Sequence, residues 1–131
     1  MILRLAFLSV LLATASCTAA GSRGENLSPA VADSLIRADS AKKTFHLVDV
    51  RTPGEFATGH IAGATLIDFH SPDFQEKIAK LPRQEKILLV CRSGNRSGQA
   101  LDIMKSLGFS DLQHVVGGMN AWRSQGLPVA P

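Results

Sequence analysis

"EKILLVCRSGNRS", residues 85–97, joins an unbroken apolar run to a loop of small residues and two arginines. The stretch Lys86–Val90 has the pattern of a central parallel strand covered on both faces. It delivers Cys91 at its end. Behind the cysteine, Ser93, Gly94 and Asn95 are small or tolerant of unusual backbone angles, so the chain can curl tightly around a sulfur atom. The spacing then predicts a helix from Ser97 to Leu107, with Ala100, Ile103, Met104 and Leu107 on one face and Gly108 as its stop. The unpaired N–H groups opening that helix point back at the loop. Such amides favour anions, and favour thiolate over thiol; Arg92 and Arg96 add two full charges.

Working outward, strands and helices alternate. Ser28 suits a helix N-cap and Pro29 the first helical position, with Val31, Leu35 and Ile36 predicted on one face. "FHLVDV" (45–50) reads as a strand broken by Pro53 and Gly54, and "ATLIDF" (64–69) as a second. A helix is predicted over 71–82, capped by Ser71, with Phe74, Ile78 and Leu81 as its buried stripe. "LQHVV" (112–116) is a last strand, and "MNAWRSQG" (119–126) a short closing helix. This alternation implies an α/β domain: a mostly parallel central sheet flanked by helices on both faces. Ligands of such sheets bind beyond the carboxyl ends of the strands, where Cys91 lies.

The length of 131 residues suits one domain. A hydrophobic content of 45% with 19% charged residues is that of a globular chain. Its net charge of +3 comes from scattered residues with no basic run interleaved with aromatics, which speaks against a nucleic-acid partner. The opening "MILRLAFLSVLLATASC" has a basic start at Arg4, a short apolar stretch and then small residues, the pattern of a secretory signal over residues 1–17. "LLATASC" resembles the lipobox of lipoproteins ending at Cys17, although Thr14 stands where leucine is usual; plain cleavage after Ala19 or Ala20 is the rival. Residues 18–27 read as a polar tether before a domain spanning 28–131. The expected location is the periplasm, or the membrane through a lipid on Cys17 and in no other way.

On that reading Cys91 becomes a lone thiol in an oxidising compartment. It has no partner for a disulfide within the mature chain, and no C-x-x-C is present for dithiol chemistry. An inert buried cysteine is the alternative, and the loop around Cys91 argues against it.

At this point the chain resembles the single-domain rhodaneses of the thiosulfate sulfurtransferase superfamily, of the exported, periplasmic type. "LVDVRTPGEFATGHIAGATLID" (47–68), "ILLVCRSGNRS" (87–97) and "VVGGMNAWRSQGLPV" (115–129) match that family's segments in order, over nearly all of residues 28–129. The resemblance implies a sulfurtransferase in which the Cys91 thiolate takes the outer sulfur of thiosulfate or a related anion. It then passes that sulfur from a persulfide to cyanide or a thiol. Arg92, Ser93, Gly94, Asn95, Arg96 and Ser97 would bind the donor. No cofactor and no metal are implied, and the chain is expected to act as a monomer. A persulfide or polysulfide carrier serving a partner protein is the second reading. A rhodanese-fold phosphatase or arsenate reductase is a more distant third, because those enzymes use C-x5-R whereas Cys91 and Arg96 form C-x4-R.

Other residues are less telling. Arg51 is a candidate for steering anions, with an ion pair to Asp49 or Glu55 as the competing role. His60, between glycines, suits a structural hydrogen bond. His46, His70 and His114 are dispersed, without metal-ligand spacing. Trp122 is expected to pack against the sheet, and Met104 to belong to the core.

Overall fold

A computed structural model describes residues 23–131. The expected signal segment and Cys17 lie outside the described residues. Five strands form one sheet in the order β1-β5-β4-β2-β3, all parallel: β1 (Arg23–Leu27), β2 (Phe45–Asp49), β3 (Thr65–Leu66), β4 (Lys86–Val90) and β5 (Asp111–Val115). The helices are α1 (Pro29–Asp39), α2 (Pro53–Ala57), α3 (Phe74–Ala79), α4 (Asn95–Ser106) and α5 (Gly118–Ser124).

The uninterrupted apolar strand takes the middle of the sheet. Ile87, Leu88, Leu89 and Val90 have no exposed surface. Because successive side chains of a strand point to opposite faces, Ile87 and Leu89 join a core with Phe74, Ile78, Ala100, Leu101 and Met104 from α3 and α4. Leu88 and Val90 join a second core with Ala32, Val115, Met119 and Trp122, beneath α1 and α5. The expected helix–sheet–helix sandwich is the observed one. Trp122 is 1% exposed and donates from Nε1 to the carbonyl of Pro128 at 2.9 Å, so its one polar atom is satisfied inside the apolar layer.

Several local expectations are corrected. The tether does not extend to Leu27: from Arg23 the chain forms β1, which lies parallel to β5 with Asn26 opposite His114. Backbone pairing along an exposed edge makes this a strand where composition alone reads as linker. The segment after β2 is not merely a break. Thr52 and Glu55 form a reciprocal capping box around Pro53 and start α2. The predicted 71–82 helix is confined to Phe74–Ala79; Ser71 donates its hydroxyl to Asp73 and caps nothing. Val31 is exposed; Ala32 enters the core in its stead, and the predicted Leu35 and Ile36 pack against it. Of 64–69, Thr65 and Leu66 pair as a strand, with Ile67 and Phe69 adding single amide bonds to the carbonyls of Asp49 and Val50.

Candidate active site

The sheet reverses its order of connection between β2 and β4, the position at which parallel sheets open a crevice at their carboxyl ends. A cleft of about 600 Å3 lies there. Thr52 and Glu55 line it from behind β2, Phe69 and His70 from behind β3, and Arg92, Ser93, Asn95, Arg96 and Gln99 from the loop and helix behind β4. Cys91 does not line the cleft. It has no exposed surface and packs in the α3/α4 core, so the loop separates the sulfur from the cleft.

Two atoms of the loop and helix reach the sulfur. The amide of Gly94 donates to Sγ at 3.1 Å, and Sγ lies 3.4 Å from the hydroxyl of Ser97, which is itself fully buried. Gly94 achieves this from a left-handed backbone (φ +93°), where an added Cβ would also lie 3.2 Å from the amide of Gly117. The expected ring of amides is therefore narrower than the sequence suggested: among the described residues, Gly94 supplies the one amide bonded to Sγ. The amides of Asn95, Arg96 and Ser97 precede the first helical bond of α4, Gly98 N–H to the Gly94 carbonyl, and have no carbonyl four residues back to satisfy them.

The carbonyls of the loop are turned away from the sulfur by α5. Met119 and Asn120 donate their amides to the carbonyls of Cys91 and Arg92 at 2.8 and 2.9 Å. Gly118 makes that approach feasible: with φ +55°, a Cβ there would lie 2.3 Å from the Cys91 carbonyl oxygen. The role of the Gly117–Gly118 pair in shaping the cysteine loop is not legible in the sequence, because it depends on β4 and β5 being neighbours.

The two loop arginines part company. Arg92 is exposed and, among the described residues, pairs with no carboxylate. Arg96 grips Glu55 with both terminal nitrogens at 2.7 Å. That contact, with further help from Thr52, holds the Glu55 carboxyl down at about 2, and the same pair pushes the Arg96 guanidinium up. Arg51 is corrected. It is 3% exposed and its guanidinium is spent on Asp49 (2.7–3.0 Å) and on the carbonyls of Gly59 and Glu55, all within the turn it stabilises. It does not line the cleft, and it cannot steer an anion there.

Sequence reasoning missed two groups. Glu55 is signalled by the Thr-Pro-Gly-Glu capping pattern, but its bond to Arg96 spans two loops. His114, set aside as dispersed, accepts at Nδ1 from or donates to the Ser97 hydroxyl over 2.9 Å. Of the other histidines, His70 lines the cleft, His46 pairs with Glu85, and His60 stacks on Phe56. Among the described residues no cluster of His, Cys, Asp or Glu could hold a metal.

A parallel α/β sheet that presents one cysteine at the tip of its central strand, beneath a short glycine-containing loop at a helix start, defines a class of cysteine-centred domains. Residues 29–125 match the model of the rhodanese-like domain. The chain belongs to that family. It is 43% identical over 90 residues to the probable adenylyltransferase/sulfurtransferase MoeZ of Mycobacterium tuberculosis, covering 69% of this chain and 23% of that one. To the thiosulfate sulfurtransferase GlpE of Pseudomonas aeruginosa it is 42% identical over 79 residues, 60% of this chain and 69% of that one. Among solved structures, the rhodanese-related protein of Thermoplasma volcanium superposes with a TM-score of 0.66 at 28% identity, covering 81% of this chain and 97% of that one. The chain thus spans about a quarter of MoeZ and about two thirds of GlpE.

Proposed function

We propose that this protein is a sulfurtransferase that carries sulfane sulfur on Cys91, taking it from thiosulfate or a related small anion. The observation that carries the reading is the placement of Cys91: a buried sulfur at a strand tip, held by the Gly94 amide and roofed by a loop whose next amides have no partner among the described residues. In the first half-reaction the thiolate attacks the outer sulfur of thiosulfate, the S–S bond breaks, and sulfite leaves with its electron pair. The persulfide Cys91-S-S⁻ remains. In the second, cyanide or a thiolate attacks that outer sulfur and Cys91 departs as thiolate. The helix-start amides, together with the free charge of Arg92, suit the negative charge present at each stage. A sulfur with no exposed surface at rest favours small donors, since the roof must yield to admit them.

The C-x4-R spacing of Cys91 and Arg96 argues against phosphatase chemistry, whose enzymes use C-x5-R. Exported placement, with or without a lipid at Cys17, belongs to this proposal and rests on the first 17 residues. Thiocyanate release from thiosulfate and cyanide tests the enzymatic reading. Sustained turnover that vanishes in Cys91→Ala is the expected result. A single round of loading without release would indicate a carrier, and full turnover in Cys91→Ala would overturn the proposal.

A further inference from the structure

A line of hydrogen-bonded groups runs from the buried sulfur to the edge of the sheet. Sγ of Cys91 lies 3.4 Å from Ser97 Oγ, Ser97 Oγ lies 2.9 Å from His114 Nδ1, and His114 Nε2 lies 2.9 Å from Asn26 Oδ1. Four elements supply it: the tip of β4, the first turn of α4, β5, and β1, whose Asn26 stands in register opposite His114. An amide oxygen can only accept, so Nε2 carries a proton. In a neutral ring Nδ1 is then an acceptor at 2.9 Å for the Ser97 hydroxyl, whose other acceptor is the Gly94 carbonyl at 3.2 Å; in the relay the hydroxyl donates to Nδ1 while its lone pairs face the thiol.

We propose that His114, acting through Ser97, receives the proton that Cys91 loses when its thiolate forms, and that Asn26 fixes the ring for this task. The step is a double proton shift. The thiol proton passes to Ser97 Oγ as the hydroxyl proton of Ser97 passes to Nδ1. Thiolate and imidazolium result, with serine regenerated and no change of oxidation state. Afterwards both ring nitrogens donate, to Ser97 and to Asn26, and the hydroxyl donates to the sulfur beside the Gly94 amide. The inference rests on the reading of Cys91 as nucleophile. His114 is a positioning and proton-holding residue, since it touches neither donor nor acceptor.

The surroundings set the terms of the role. Burial pushes the His114 imidazole below its ordinary value, so the ring is neutral near pH 7, and the imidazolium it becomes depends on the adjacent thiolate charge to offset its desolvation. On α4, Asp102 favours the protonated ring and Lys105 opposes it. From β4 the residue opposite is Leu89, and from β1 it is Asn26, neither of them charged. On the sulfur side, Arg96 feels the charge of Cys91 but is held by Glu55, and Arg92 stands on the exposed rim.

The thiolate has an ultraviolet absorbance, and with no tyrosine in the chain its appearance with pH can be read directly after subtracting the Cys91→Ala protein. His114→Asn keeps a hydrogen-bonding group near the Nδ1 position and removes the proton acceptor. The expected result is an ionisation midpoint raised by about one pH unit, a tenfold loss of thiolate below the midpoint. Ser97→Ala should raise it similarly, and the double variant no further than the larger single effect. As a check that needs no change at the histidine, the His114 ring should titrate at lower pH in Cys91→Ala than in the wild type when followed by NMR, because linkage between two sites is reciprocal. An unchanged thiol midpoint in folded His114→Asn, or an unchanged His114 titration in Cys91→Ala, overturns the relay. Sulfur loading from thiosulfate is measured separately. If loading fails in the wild type while both titrations shift, the relay stands and sulfur transfer falls.

Discussion

Arg92 and Arg96 sit four residues apart with the same charge, yet their partners give them different roles. Arg92 is an open cation on the rim of the cleft. Arg96 neutralises Glu55, so deleting it removes one positive charge and also bares a carboxylate toward any incoming anion. Arg92→Ala should raise KM for thiosulfate a few-fold and flatten its dependence on ionic strength. Arg96→Ala should raise KM on the order of tenfold, equivalent to about 1.4 kcal/mol, and adding Glu55→Gln to it should recover much of the loss. No recovery in the double variant would mean that Arg96 serves the anion directly. Steady-state kinetics on the four proteins decide between these outcomes.

Among the elements, α5 reaches the chemistry only through backbone. Its opening amides take the carbonyls of Cys91 and Arg92, and Gly118 lets the two chains meet. Gly118→Ala should destabilise the fold by at least about 1–3 kcal/mol for the left-handed backbone alone, more with the collision at the Cys91 carbonyl, and should lower sulfur loading in the protein that remains folded. Chemical denaturation measures the first effect; unchanged stability would show that the clamp is dispensable. This element also marks where sequence reading runs out. The strand at 86–90, the loop after it, and the stripes of Phe74–Ile78 and Ala100–Met104 were legible because periodicity and burial are local to their own segments. Glu55 to Arg96, His114 to Ser97 and α5 to Cys91 were not, since each joins segments whose adjacency is set by strand order. The edge strand β1 was hidden for a related reason: its stability comes from pairing with β5, not from an apolar pattern of its own.

At the level of the whole molecule, two buried or half-buried ion pairs fasten the loops at the carboxyl edge of the sheet: Asp49 with Arg51, and Glu55 with Arg96. Glu55 drops from an ordinary 4.5 to about 2 on folding. A carboxyl depressed in the folded state stabilises it above the unfolded value and loses that contribution as pH falls through the folded one. Urea midpoints of the wild type should therefore exceed those of Glu55→Gln near neutrality, and the gap should close between about pH 4.5 and 2. A gap independent of pH would assign the difference to packing and not to charge. Glu55 and Arg96 line the cleft at that edge, and the loop before Arg96 holds the sulfur of Cys91, so the claim that matters most concerns that atom. Intact-mass analysis of the protein after brief exposure to thiosulfate, followed by mapping of the modified peptide, tests it directly. The account predicts a gain of one sulfur atom, confined to Cys91, removed by cyanide and absent in Cys91→Ala; no gain in the wild type, or a gain that survives in Cys91→Ala, would contradict it.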